Sequence, residues 1–143
     1  MAVESIAKTV WEGDLGQGSG TVEPDSGAFP GVEVSWASRT RRAQGKTSPE
    51  ELLAAAHVSC FCMALSHELG EAGNAPERLD ATATVDFDPD EGVKSSRISV
   101  RGRVPGIDQD AFAQAAEAAK DGCPISGALK GNLDMSVEAT LES

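Results

Sequence analysis

The chain has no tyrosine, and aromatic residues make up only 4% of its 143 positions. Its core must therefore be assembled mostly from Ala, Val, Leu and Ile rather than from stacked rings. Cations are scarce too. Twelve Lys and Arg face 23 Asp and Glu, leaving a net charge of -11. Nucleic acids and anionic membranes demand a basic surface, so neither is expected as a partner. There are three cysteines, an odd count with no pair at CxxC spacing, which argues against a disulfide framework. The opening "MAVESIAKTVWEGD" lacks a basic start followed by an apolar core. The longest apolar run carries His57 and Ser59 and falls short of a membrane span. The expectation is a soluble, cytoplasmic protein of one domain, residues 1–143.

Several elements are legible. "ESIAKTVWEGD" and "GSGTVEP" read as two strands joined by the Gly-rich turn "DLGQGSG", and "GVEVSWAS" alternates as a third. "RTRRAQGKT" is a basic loop, the single cationic cluster of the chain. A helix is predicted from Pro49 to about Glu71, with Ser48 as N-cap, Pro49 at the first helical position and Glu51 completing a capping box. Gly70 or Gly73 marks its end. Between Leu52 and Leu65 this helix is apolar nearly all round, where a surface helix shows one stripe. It should be covered on most sides, by a sheet and by a partner subunit.

Downstream, "LDATATVDFD" and "RISVRGRV" alternate and form a hairpin about "PDEGV". "DQDAFAQAAEAAK" reads as a helix capped by Asp108, with Phe112, Ala115, Ala116 and Ala119 inward. "CPISGALK" gives a short helix with Pro124 first. "LDMSVEATLE" closes the chain as a strand. The expected architecture is α+β, an antiparallel β-sheet packed on a long central helix.

The chemistry-bearing residues are the thiols. Cys60 and Cys62 lie two residues apart on one helix and point to nearly opposite sides, so they neither bond to each other nor share a metal. The spacing of the three cysteines and two histidines matches no zinc pattern, and no metal site is expected. His57, one turn before Cys60, is either a general base or a core histidine with a satisfied ring nitrogen. The second reading is adopted. His67, near the helix end, should face solvent or compensate the helix dipole. Cys123 precedes Pro124 at a helix start, where backbone N–H groups favour a thiolate, so it should be the more acidic thiol. The apolar helix raises the pKa of Cys60, which then needs a cation: Arg39, Arg41 or Arg42 from the preceding loop. Glu50 or Glu51 is placed to hold that guanidinium by a bidentate pair.

"TSPEELLAAAHVSCFCMALSHELGEAG", followed by "AKDGCPIS" and preceded by "WEGDLGQGSGTV", resembles the OsmC/Ohr family of osmotically inducible and organic hydroperoxide resistance proteins, and its OsmC branch in particular. The resemblance covers essentially the whole chain. It implies a cysteine-based peroxidase without cofactor that reduces organic hydroperoxides, with hydrogen peroxide as a further candidate substrate, in the response to oxidative stress. By this resemblance Cys60 is peroxidatic and becomes a sulfenic acid. Cys123 is resolving and closes a Cys60–Cys123 disulfide, which an external dithiol reopens. Arg39, in "SWASRT", matches the activating arginine, with Arg41 as the alternative, and Glu50 matches the acidic residue that orients it. Cys62 stands where relatives often carry serine and is expected to be a packed bystander. The family also implies an OsmC-like intertwined homodimer with two active sites at its interface. A redox-sensing or small-molecule-binding protein on the same scaffold is the alternative function.

Overall fold

The computed structural model describes residues 1–41 and 45–142. The chain gathers into two compact units, Met1–Leu52 and Leu53–Ser143, with the boundary inside the long helix.

In the first unit, β1 (Ala7–Glu12), β2 (Ser19–Pro24) and β3 (Val32–Val34) form an antiparallel sheet in that order. The Gly-rich turn works as expected. Gly13 takes a positive φ of 92°, which a side chain would resist, and its carbonyl accepts the Trp11 indole N–H at 2.8 Å. β1 is exposed along its whole length.

The predicted third strand ends early. After Val34 the chain turns into a short helix, α1 (Trp36–Thr40). Ser35 and Ser38 explain the change. The Ser35 hydroxyl accepts the Ser38 N–H at 3.0 Å, and the Ser38 hydroxyl accepts the Ser35 N–H at 2.8 Å. This reciprocal capping satisfies two backbone donors and outweighs the alternation of Val32, Val34 and Trp36. Ser38 also donates to the Thr47 carbonyl at 2.8 Å, tying the far end of the following loop to α1.

The long helix α2 spans Pro49–Glu71. Ser48 accepts the Glu51 N–H at 3.0 Å, as expected of the cap. The Glu51 carboxylate departs from the predicted box and accepts from the Thr47 hydroxyl at 2.6 Å. At the other end Gly73 (φ 82°) allows Gly73 N–H to reach Gly70 O at 3.0 Å and Asn74 N–H to reach Leu69 O at 2.8 Å. These two bonds form a Schellman ending.

The second unit holds β4 (Arg78–Asp88), β5 (Gly92–Arg103), α3 (Gln109–Gly122), α4 (Pro124–Leu129) and β6 (Asp134–Leu141). β4 and β5 form the expected antiparallel hairpin. The α+β class holds, but one pairing differs from the expected antiparallel sheet: β6 runs parallel to β5, from Ser95 opposite Asp134 to Gly102 opposite Leu141. The reason is the connection. α3 and α4 carry the chain back before β6 begins, which is the crossover that a parallel pair requires.

The core of this unit joins Phe61, Leu65 and Leu69 of α2 to Ile98 and Val100 of β5 and to Phe112, Ala116 and Ala119 of α3. Burying each of the large side chains contributes roughly 1.5–3 kcal/mol. Gly102 has no side chain for a packing reason. A β-carbon there would clash with the edge of the Phe112 ring.

Beyond Glu50 at its start, α2 buries one stripe within the chain, His57, Phe61, Leu65 and Leu69, at four-residue spacing. Met63, on another face, is 73% exposed. The expected all-round cover is therefore not supplied by one subunit. By length and composition α2 would also suffice to cross a membrane, contrary to the reading of its apolar run as too short. Its stripe of core contacts is that of a packed helix.

Candidate active site

Two thiols meet in the second unit. Cys60, half-buried on α2, lies near enough to Cys123 for each thiol to affect the other's ionisation, and the Ile125 backbone N–H is near both sulfurs. Cys123 is 1% exposed. It ends α3 and caps α4, with Pro124 at the first helical position. Its extended backbone (φ -68°, ψ 135°) turns the sulfur toward the first turn of α4, where it accepts the Ser126 N–H at 3.4 Å. Both cysteines are free thiols.

The two differ in acidity. Burial raises Cys60, the Ile125 N–H opposes it, and the neighbouring Cys123 raises it further. Burial also pushes Cys123 upward, but hydrogen bonds outweigh it. They come from the Ser126 hydroxyl and N–H, from Cys60 and from the Ile125 N–H, and the net result lies below the ordinary thiol value. Cys123 is thus the more acidic of the pair, as its position before Pro124 suggests.

In the first unit, Arg39 of α1 and Glu50 of α2 form the anticipated bidentate pair. Arg39 Nε donates to Glu50 Oε1 and Oε2 at 3.0 and 3.2 Å, and Nη2 donates to Oε2 at 2.9 Å. Glu50 is buried, while Arg39 keeps a third of its side chain in solvent. The guanidinium also lies 5.9 Å from the centre of the Trp36 ring. A planar fork held on two sides is a fixed cation rather than a mobile one. The early end of β3 matters here, because α1 is what carries Arg39. Arg41 is exposed and follows α1 as its C-cap. Arg42 lies outside the described residues. Glu51, the other carboxylate considered, is exposed and engaged with Thr47.

His57 is a fully buried core histidine with both ring nitrogens satisfied. Nδ1 lies 2.6 Å from Ser96 Oγ, and Nε2 lies 2.8 Å from Ser126 Oγ. Burial lowers its pKa. Ser126 in turn lies 3.4 Å from Cys123 Sγ. These two serines escape a reading of the sequence. Ser126 had one faint signal, its place three residues after a capping Cys123. Ser96 had none, since it looks like any small residue of an alternating strand. Cys62 lines a separate open cleft of about 560 Å³ with His67, Arg78 and Leu79, and burial raises its thiol. His67 is exposed. Among the described residues no group of three or more His, Cys, Asp and Glu is arranged to hold a metal.

The family model described as OsmC-like protein matches residues 42–138. Peroxiredoxin OsmC of Escherichia coli (strain K12) is 40% identical over 138 residues, covering 94% of this chain and 96% of that protein. The organic hydroperoxide resistance protein-like 1 of Staphylococcus epidermidis is 30% identical over 141 residues, 96% of each chain. Among solved structures, an organic hydroperoxide resistance protein OsmC from Legionella pneumophila superposes with a TM-score of 0.72 over 98% of both chains, at 24% identity. The chain belongs to the OsmC-like protein family.

Proposed function

We propose that this protein is a cysteine-based hydroperoxide reductase acting through Cys60 and Cys123. The observation that carries the reading is the nearness of these two thiols, a half-buried sulfur on α2 beside a buried and more acidic one. The names of its relatives, a peroxiredoxin and an organic hydroperoxide resistance protein, support the same chemistry.

In the first step the Cys60 thiolate attacks the O–O bond. The sulfur takes the terminal OH and becomes a sulfenic acid, and the alkoxide leaves and is protonated to the alcohol. In the second step Cys123 displaces the hydroxyl, giving the Cys60–Cys123 disulfide and water. An external dithiol then attacks the Cys60 sulfur, and the acidity of Cys123 makes it the better leaving group. That ordering explains why the more acidic thiol suits the resolving role. Arg39, held by Glu50, is the cation we propose for the Cys60 thiolate. The two units work as one OsmC-like domain, and two copies assemble as a homodimer.

The proposed substrates are organic hydroperoxides, after the names of the relatives, with hydrogen peroxide as a further candidate. Sustained consumption of cumene hydroperoxide with excess dithiothreitol, at many turnovers per protein, tests the reading. One observation favours a redox sensor with slow turnover: the raised pKa of Cys60. A single stoichiometric oxidation, with no further consumption while dithiol remains, would assign that role instead.

A further inference from the structure

The hydrogen-bonded chain behind Cys123 is longer than packing requires. It runs from Cys123 Sγ to Ser126 Oγ (3.4 Å), on to His57 Nε2 (2.8 Å), and from His57 Nδ1 to Ser96 Oγ (2.6 Å). All four residues are at most 1% exposed. A polar chain inside an apolar core is costly unless every member is paired, and here every buried side-chain polar atom among the described residues is paired. One end of the chain is a β-strand serine. The other is a thiol near Cys60.

The hydrogens can be placed. With Nδ1–H donating to Ser96, Nε2 accepts the Ser126 hydroxyl hydrogen, and the Ser126 oxygen accepts the Cys123 S–H. The same heavy atoms fit the shifted state. The thiol proton moves to Ser126, and the Ser126 proton moves to Nε2. Both ring N–H groups then donate to serine oxygens, and the Ser126 hydroxyl donates to the thiolate. Nothing has to move except protons.

We propose that Ser126 and His57 form a proton relay for Cys123 in the resolving step, with Ser96 holding the His57 ring in the accepting tautomer. The inference rests on the reading above, in which Cys123 attacks oxidised Cys60. As the S–S bond forms and the S–O bond of Cys60 breaks, the Cys123 proton passes through Ser126 to His57. It returns through Ser126 to the departing hydroxide, which leaves as water. The Cys123 sulfur is oxidised and the Cys60 sulfur is reduced, with no outside reagent. Burial disfavours a charged His57, so the proton stays there only in passing. Among the described residues, the ring's hydrogen-bond partners are the hydroxyls of Ser96 on β5 and Ser126 on α4, and on its own helix Cys60 lies one turn on. Ser126 touches the reacting sulfur and is the catalytic member. His57 and Ser96 act through it and are positioning residues.

The test follows both phases after mixing reduced full-length protein with one equivalent of cumene hydroperoxide. Acid quenching and mass spectrometry count sulfenic acid and disulfide. Ser126→Ala should slow the second phase relative to the first by about a hundredfold, a common magnitude for proton-transfer catalysis. The pH profile is the discriminating readout. In the wild type the second phase should be nearly flat around neutral pH, because the acceptor is internal. In Ser126→Ala it should climb with pH, because Cys123 must then ionise to water. Ser126→Thr, which keeps the hydroxyl, should recover the flat profile. Ser96→Ala, which removes the buried hydroxyl that holds the His57 ring, should give a smaller slowing of the same phase. A second phase in Ser126→Ala with the wild-type rate, or slowed with an unchanged pH profile, overturns the relay and leaves the peroxidase reading intact. A wild type that forms no Cys60–Cys123 disulfide overturns both.

Discussion

Arg39 and Glu50 illustrate how much depends on which residue carries which charge. Glu50 is an anion, so it offers no stabilisation to a Cys60 thiolate. Its bidentate hold on Arg39 acts on geometry. The two residues should therefore respond differently to removal. Arg39→Ala should raise the pKa of Cys60 still further and slow its oxidation by about a hundredfold, the usual loss when a preorganised charge donor is removed. Glu50→Ala should also slow the reaction, but with the Cys60 pKa unchanged or lowered, because a negative neighbour is gone. Arg39→Lys should recover little, since a point charge cannot keep the fork geometry. The measurement is the pH dependence of the second-order rate of Cys60 oxidation, with Cys123 replaced by serine to isolate the first step. If Arg39→Ala changes neither rate nor pKa and Arg41→Ala abolishes both, the arginine is misassigned.

At the scale of elements, the proposed homodimer rests on α2. Beyond Glu50, one subunit covers only the stripe His57, Phe61, Leu65 and Leu69, and leaves Met63 largely in solvent. β1 is likewise exposed throughout, with Val10 and Trp11 at 53% and 40%. Faces of this kind call for a second copy of the chain. Sedimentation at micromolar concentration should show a dimer with no well-folded monomer; a stable folded monomer would contradict it. Most of these elements were legible in advance. Ser48, Pro49 and the glycines bounded α2, Asp108 opened α3, and the alternation of β4 and β5 gave the hairpin. Three features were not. α1 was hidden because Val32, Val34 and Trp36 alternate like a strand, and only the reciprocal Ser35–Ser38 bonds break the pattern. The parallel β5–β6 pairing was hidden because side-chain alternation carries no information about strand direction. The His57 partners were hidden because Ser96 and Ser126 lie 39 and 69 residues away along the chain.

At the scale of the whole molecule, sequence, fold and relatives meet on one chemical claim. An acidic chain with three thiols has the fold of a family whose relatives carry peroxiredoxin and hydroperoxide-resistance names. It sets two of its thiols near each other and the third in a separate cleft. The division of labour among the three cysteines is therefore the point on which the account stands. Peptide mapping under non-reducing conditions, after one equivalent of cumene hydroperoxide, measures it directly. The expected product is a Cys60–Cys123 disulfide within one subunit, with Cys62 recovered as a free thiol and the link lost on addition of dithiothreitol. A Cys60–Cys62 link, or three free thiols after the peroxide has been consumed, would contradict it.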